Sequence, residues 1–465
     1  MTNLSTMEQD EERILDYEAS DEESSAEENE EDEQCHNSPI PNSDEPGLLP
    51  ITITPQTKIE FYNTFFMLIT STTALLIILP LYINRVNLKG NYFSIGLINF
   101  PISTIALVVC ISVMKFIFGK LKLVKIMKLP MRISNLIQIS MFYFSITFLY
   151  LYCTSRNRVW CHLQDPLKGF MLVFALLMYF CCSRTFMGLH RIFSTTAIIV
   201  GLFITLDYGL CNEFVCRGFD IQSISDDSGP WNHLFNVIHT IIYISSFFFF
   251  TIIIIMLDTI IAPDIANMMP SSIIRSSYVN TISRSVSDVE ETTRGASEDI
   301  PQKSALHIVA WIHLFSVLIL NCILPFQYIS GKFINQSNSF NITMQGVLCH
   351  FNFEGDCQYV LTYSLIFQLA YLVFIVSLVK MLMLSQCPVF TIATTSASLP
   401  FIGIWWSLFY VTPTGLMVWS PKIRPESVCS LIGLAIILFG LILLCKAHFE
   451  GEDRYKRGPR RRMVR

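Results

Sequence analysis

Long apolar stretches alternate with short polar loops over most of the chain. Most of these stretches reach the roughly 20 residues that a helix needs to cross the hydrocarbon of a bilayer. Helices are expected because a spanning segment must satisfy its own backbone hydrogen bonds. The pattern predicts ten transmembrane helices, at residues 61–83, 92–118, 133–151, 170–182, 192–210, 234–261, 305–329, 359–382, 389–410 and 427–445.

Composition agrees with this fold class, an all-α polytopic membrane protein. Hydrophobic residues make up 52% of the chain and charged residues only 15%, values that differ from those of a soluble domain. The chain has no P-loop, HExxH or GxSxG motif. We therefore expect neither an enzyme nor a bound metal, and no cofactor.

Charge is distributed unevenly along the chain. The segment before Leu49 carries 17 Asp and Glu and one Arg, so the net charge of −5 combines −16 here with +11 elsewhere. This composition predicts a disordered acidic cytosolic tail at residues 1–56, either simply solvated or engaging cytosolic partners. The basic surplus lies in short loops and a tail beside the bilayer, so topology explains it better than a nucleic-acid partner does.

The polar loops sort onto two sides of the membrane. Lys and Arg number 23 on the side of the amino terminus and 9 on the other. The positive-inside rule then places both termini in the cytosol.

Six of the 14 cysteines lie in the opposite, luminal loops as close pairs. An oxidising lumen permits disulfides there, and free thiols are the alternative. The same side carries two glycosylation acceptor sequences. The expected disulfides join Cys153 with Cys161, Cys211 with Cys216 and Cys349 with Cys357, and the acceptors are Asn335 and Asn341.

Short motifs occur in a characteristic order. They are Gly90-Asn91-Tyr92 after span one, His313-Leu-Phe and Ile323-Leu-Pro-Phe in span seven, the luminal loop with Cys349 and Cys357, and Phe390-Thr-Ile with Pro400 in span nine. Together they resemble the chloroquine-resistance-transporter family. Ile432-Gly433 and Gly440 in span ten are similar to the wider drug/metabolite transporter superfamily.

The resemblance implies a carrier of two inverted five-helix repeats. Its central cavity would be lined by spans one to four and six to nine, with spans five and ten mainly structural. It would lie in a vacuolar, lysosomal or other endomembrane and export amino acids, peptides, thiol compounds or cationic drugs, commonly with protons. The sequence departs from the family at residues 76–80, which are apolar where the malarial member has a Lys, and in span eight, which has no acidic residue.

These repeats divide the chain into segments with different expected roles. The first repeat is expected at residues 57–221 and the second at 222–446. The second includes a polar cytosolic linker at 264–303 and a luminal disulfide loop at 331–358, and a basic cytosolic tail follows at 447–465.

Polar side chains within the spans are candidates for lining the cavity, and helix packing is the alternative. In span nine, four hydroxyl residues recur at helical spacing and share one face. His239 and His313 are candidates for proton coupling, since imidazole changes charge near the pH of an acidic compartment. The simpler interpretation of each histidine alone is a satisfied polar contact. The candidate solute-binding residues are Thr70, Thr73, Asn135, Gln138, Tyr243, Ser246, Gln368, Thr391, Thr394, Thr395 and Ser398.

These observations favour a secondary active transporter in the lipid bilayer. It would move a small polar organic solute, coupled to protons, from an acidic lumen to the cytosol. The alternative is a non-transporting receptor or scaffold that signals through its tail and linker, and a channel is a third candidate.

Overall fold

The computed structural model describes most of the apolar part of the chain. The described residues are 55–118, 129–154, 159, 161–182, 188–205, 230–268, 304–333, 337–352, 355–411, 417–421 and 425–456. Residues 1–54 of the predicted acidic tail, most of the linker at 264–303 and the last part of the basic tail lie outside these ranges.

The described residues form twelve α-helices, a single 3₁₀ turn at Gly355–Cys357 and a small hairpin. The hairpin pairs strand β1 (Phe409–Val411) antiparallel with strand β2 (Met417–Trp419). The helices are α1 (Pro55–Val86), α2 (Tyr92–Phe118), α3 (Ile133–Cys153), α4 (Cys161–Cys182), α5 (Leu189–Thr205), α6 (Pro230–Met268), α7 (Ala305–Phe333), α8 (Ser337–Cys349), α9 (Val360–Ser385), α10 (Pro388–Ser396), α11 (Leu399–Leu408) and α12 (Pro425–Lys456).

The fold is that of an all-α polytopic membrane protein. Among the described residues, eight helical spans are long and apolar enough to cross a bilayer, and α10 with α11 forms one of them. Helices α4 and α5 contain shorter apolar helical segments, Leu167–Cys181 and Leu189–Thr205. Each of the ten predicted spans therefore coincides with a helix or, in span nine, with two.

Two features differ from the sequence-based expectation. Span nine is not one helix, because α10 ends at Ser396 and α11 begins at Leu399. The luminal loop predicted at 331–358 contains the helix α8 and the 3₁₀ turn. The break lies in a run of hydroxyl residues just before Pro400, a position typical of a helix start, whereas α8 was missed because it is rich in polar residues.

Helices α5 and α12 pack against each other through glycines. A Cβ on Gly433 would overlap the Thr205 hydroxyl and the Gly201 carbonyl, and one on Gly440 would press on Ile198. Small residues of this kind let membrane helices approach closely, so the pair forms a tight two-helix contact.

The bundle has two distinct ends. At the disulfide end, which holds α8 and the Cys349–Cys357 disulfide, the imidazole of His350 accepts a hydrogen bond from the Tyr82 hydroxyl (2.6 Å). At the opposite Glu60 end, the Glu60 carboxylate binds the Lys380 ammonium at 2.8 Å. The positive-inside rule predicts that the disulfide end faces the lumen.

Candidate functional site

A cavity of about 200 Å³ lies in the middle of the bundle. Helices α1, α2, α3, α4, α6, α9, α10 and α11 supply its lining residues. Within the described residues, α5 and α12 supply none, and α7 lies behind the wall. The cavity is thus surrounded by helices from both predicted repeats.

The cavity extends from the middle of the helices toward the disulfide end. In α1 its lining residues run from Thr72 to Leu79, while the helix ends at Val86. In α2 they run from Ile95 to Ser103, near the helix start. The Glu60 end is closed by aromatic packing and belongs to the main hydrophobic core.

The wall of the cavity is mostly apolar. Aromatic rings from four helices face it, together with aliphatic side chains of α1 and α3. A lining of this kind suits the apolar body of a solute, and a few polar groups then fix its orientation. The aromatic lining residues include Phe100, Phe247, Phe250, Phe367 and Phe374.

The hydroxyl residues of span nine divide into two groups. Thr395 and Ser398 line the cavity, whereas Thr391 and Thr394 are fully buried in the packed part of α10. The Thr394 hydroxyl donates to the Phe390 carbonyl at 2.9 Å. The shared face therefore reaches the cavity only where α10 ends.

Four other candidates lie away from the cavity. Thr70 and Gln138 are exposed on the outside of the bundle, and Thr73 and Asn135 are partly exposed. The hydroxyls of Thr70 and Thr73 donate to carbonyls of their own helix, at 2.9 Å and 2.8 Å. A hydroxyl that bonds to its own helix needs no partner in a cavity. The presence of a polar residue in a span therefore did not show that it lines the cavity.

Three further candidates lie at or next to the wall. Ser246 lines the cavity, and Tyr243 is buried beside it with its ring 5.6 Å from that of Tyr150. The Gln368 side-chain amide donates to the hydroxyl of Ser103, a lining residue. These contacts hold α6 against α3, and α9 against α2.

His313 lies immediately behind the wall, completely buried. Its Nδ1–H donates to the Val309 carbonyl (2.9 Å), because a carbonyl can only accept. Its Nε2 therefore accepts from the hydroxyl of Tyr371 (2.8 Å), a lining residue. The Tyr143 hydroxyl lies 3.4 Å from the same nitrogen.

His239 has the same arrangement but lies farther from the cavity. Its Nδ1–H donates to the Phe235 carbonyl (2.7 Å), and its Nε2 accepts from the Tyr152 hydroxyl (3.1 Å). His239 is half-buried near the start of α6. Of the two predicted proton-coupling residues, only His313 touches side chains that line the cavity.

Several lining residues were not singled out in the sequence. Asn99, Ser103 and Ser396 line the cavity, as does Lys168 of α4. Asn99 and Ser103 are four residues apart in α2 and therefore share one face of the helix, a signal that could have identified them. Lys168 and Ser396 carry no comparable pattern.

The cysteine and glycosylation predictions fall partly within the described residues. Cys349 and Cys357 form a disulfide, and Asn341 is exposed on α8. Cys211, Cys216 and Asn335 lie outside the described residues, and so does the side chain of Cys161, the predicted partner of Cys153.

No protein-family model matches the chain, and no curated protein matches it. The function is therefore inferred from the residues and geometry of the cavity.

Proposed function

We propose that the chain is a secondary carrier that moves a small organic solute across an endomembrane by alternating access. The observation that carries this proposal is the central cavity, which extends from the middle of the spanning helices toward the disulfide end and lies between helices of both predicted repeats. Carriers place their solute sites at this position, where two halves can rock around a bound molecule. A receptor or scaffold does not need such a space.

The pairing of helices supports two related halves. Helix α1 packs on α9 and α3 packs on α6, while α2 packs on α7 and α5 on α12. In the predicted repeats, α1, α2, α3, α4 and α5 correspond to α6, α7, α9, α10 with α11, and α12. The contact of α1 with α9 then corresponds to the contact of α6 with α3. The contacts of α2 with α7 and of α5 with α12 each join two corresponding helices. Such a contact pattern is expected of repeats related by a twofold axis.

The position of the cavity fits one of the two states of an alternating-access cycle. It lies toward the disulfide end, while the ring of Phe61 packs 5.6 Å from Phe390 and 5.5 Å from His448 at the Glu60 end. A carrier needs the opposite state as well, in which the Glu60 end opens. With the disulfide end in the lumen, the cycle would load solute there and release it to the cytosol.

The size and lining of the cavity narrow the solute class. A volume of about 200 Å³ is below the roughly 300–1,000 Å³ of sites for drug-sized ligands. The wall favours a molecule with an apolar body and few polar groups. Small amphipathic solutes, such as apolar amino acids or small thiol compounds, fit better than longer peptides or large drugs.

His313 is the proposed proton-coupling residue. A proton added at Nε2 removes the acceptor for the Tyr371 hydroxyl and forces this lining side chain to accept instead. Protonation thereby changes a hydrogen bond at the cavity wall, which links the charge of the imidazole to the shape of the site. His239 has no such link.

Flux measurements in liposomes test the proposal. Purified protein, an imposed pH gradient and a panel of labelled small solutes should give gradient-driven uptake of at least one solute. His313→Gln should abolish the dependence on the pH gradient, and His239→Gln serves as the matched control that retains it. The absence of gradient-driven flux for every solute would contradict the carrier.

A further inference from the structure

Asn99 is a buried polar side chain of the cavity wall. It is 7% exposed, and its amide nitrogen donates to the Ile95 carbonyl (2.7 Å) and to the Tyr82 hydroxyl (3.1 Å), which uses both hydrogens. The Ile95 carbonyl can only accept, so it fixes which end of the amide is the nitrogen. The other end, Oδ1, is buried and has no hydrogen-bond partner among the described residues.

The contacts of Tyr82 require the same orientation of the amide. His350 Nδ1–H donates to the Gly346 carbonyl (2.7 Å), so its Nε2 accepts from the Tyr82 hydroxyl. The Tyr82 oxygen has then given its hydrogen away, and it accepts from Asn99. A chain of directed hydrogen bonds thus runs from the disulfide end to the cavity wall. Buried polar groups are nearly always paired, so the acceptor at the end of this chain is a place where a ligand can donate.

The contact of α2 with α9 holds a second amide oxygen without a partner. The Ser103 hydroxyl donates its hydrogen to the Asn99 main-chain carbonyl (2.7 Å) and therefore accepts from the side-chain nitrogen of Gln368. Gln368 Oε1 is buried and has no hydrogen-bond partner in the part of the chain that the structure describes. Both side-chain amides at this contact are thus held by their nitrogens and leave an acceptor.

The hydroxyls of the wall show the same bias toward acceptors. Six described lining hydroxyls donate to nearby main-chain carbonyls at 2.6 to 2.8 Å, so their oxygens are left to accept. Ser396 differs, because its hydroxyl has no partner among the described residues and can both donate and accept. The six that donate to the main chain are Thr72, Ser103, Thr147, Ser246, Thr395 and Ser398.

The charge of the wall disfavours an ionic head group. None of the described lining residues carries a carboxylate, so an ammonium group would be buried without an opposite charge. A carboxylate group would meet mainly acceptor oxygens, and Lys168, the charged side chain among the described lining residues, already has an interaction of its own. An uncharged donor, such as a hydroxyl or an amide N–H, avoids both costs.

From these observations we infer that the solute carries an uncharged hydrogen-bond donor, and that this donor binds to Oδ1 of Asn99. The apolar body of the solute then lies against the aromatic wall. Neutral amphipathic molecules therefore fit the cavity better than zwitterionic amino acids do. This inference rests on the proposed function, since it takes the cavity as the solute site of the carrier.

Probes of similar size test the head group, and they are 3-phenylpropanol, its isomer methyl 2-phenylethyl ether, 3-phenylpropylamine and 3-phenylpropanoate. The alcohol and the ether contain the same atoms, but only the alcohol has a donor. Binding is measured by calorimetry on the full chain in lipid nanodiscs at pH 7.5, and uptake by empty nanodiscs is subtracted. We expect the alcohol to bind about tenfold more tightly than each of the others. An equal or greater affinity of any other probe, or no binding of the alcohol, would overturn the inference.

Truncation of the amide tests the location. Asn99→Ala removes Oδ1 and should weaken binding of the alcohol about tenfold, while binding of the ether changes little. The matched control is Asn135→Ala, the same substitution at a partly exposed residue of α3 away from the cavity. If Asn99→Ala keeps the wild-type preference for the alcohol over the ether, or if both variants lose it equally, the donor does not bind at Asn99.

A charged variant tests the location by a gain of binding, which a folding defect cannot produce. Asn99→Asp places a carboxylate where the solute donor binds. It should strengthen binding of 3-phenylpropylamine about tenfold over the wild type, because a hydrogen bond between two ions is stronger than one between neutral groups. An unchanged affinity for the amine would show that the head group lies elsewhere.

Failure of this inference is distinguishable from failure of the carrier. Liposomes that take up a charged solute, in a protein that does not prefer the alcohol over the ether, would sustain the carrier and overturn the uncharged donor. Preferential binding of the alcohol without flux of any solute would do the reverse.

Discussion

The contact between α5 and α12 and the region around the cavity use small residues in opposite ways. In the first, Gly433 lets two backbones touch and leaves no space. In the second, Ser396 and Ser398 lie where a helix is interrupted, and the neighbouring helices remain apart. Close packing thus holds α5 directly against α12, whereas the helices around the cavity pack through their apolar side chains and still leave a space between them. The carrier proposal requires this difference, because only the cavity side has to move.

The largest expected effect comes from breaking the contact between α5 and α12. In Gly433→Val the new side chain would overlap the Thr205 hydroxyl and the Gly201 carbonyl. Overpacking at such a contact should cost about 3 kcal/mol of unfolding free energy. Thermal unfolding of purified protein measures the loss. The control is Gly188→Val, at a glycine whose added Cβ would meet nothing within 4 Å. Equal destabilisation of both variants would show that the α5–α12 contact is not special.

An intermediate effect is expected from loosening the disulfide end. Cys349 and Cys357 are eight residues apart in sequence, and removing a crosslink of this loop length should cost about 2 kcal/mol. Hydrogen exchange of α8 in the double variant Cys349→Ser, Cys357→Ser should therefore become faster, while α12 is unchanged. Cys110→Ser, at an exposed cysteine, is the control. Unchanged exchange in α8 would show that the disulfide does not hold this end.

A smaller effect is expected at the disulfide end when the pH is lowered. Burial lowers the pKa of His350, whose Nδ1–H donates to the Gly346 carbonyl and whose Nε2 accepts from Tyr82. The stability that neutral His350 provides is fully present above about pH 6.5, the ordinary pKa of a histidine. This stability is lost as the pH falls through the lowered pKa of His350. An acidic compartment would therefore loosen α8.

Hydrogen exchange also measures this pH effect. The opening free energy of α8, corrected for intrinsic exchange rates, should be lower at pH 5 than at pH 7.5. His350→Gln should remove most of this difference. A pH dependence that is the same in His350→Gln would assign it to other groups.

The sequence predicted the positions of the helices well, because long apolar runs leave few alternatives in a bilayer. It did not predict the break in span nine. The spacing of Thr391, Thr394, Thr395 and Ser398 assumes one continuous helix, whereas α10 ends at Ser396 and α11 begins at Leu399. Of these four residues only Thr395 and Ser398 reach the cavity, because the cavity does not extend along the earlier part of α10.

The candidate site was harder to predict than the fold. A hydroxyl in a membrane helix can bond to its own backbone, as in Thr70 and Thr73, so polarity alone does not show which face is inward. Conversely, Ser396 is informative because its hydroxyl has no such bond, and only the structure reveals this. The apolar character of the wall also depends on which faces of the helices meet.

Accessibility of the cavity from both sides of the membrane tests the central claim most directly. Leu75→Cys places a thiol at the cavity wall, in a background that keeps the Cys349–Cys357 disulfide and replaces the other cysteines. Val109→Cys, on the exposed side of α2, is the control that an impermeant reagent should not reach.

A membrane-impermeant thiol reagent is added to vesicles of each orientation, with and without a pH gradient. Alternating access predicts labelling of Leu75→Cys from both sides, with a rise on one side matched by a fall on the other when the gradient is imposed. Labelling from neither side, or from one side only under every gradient, would contradict the account.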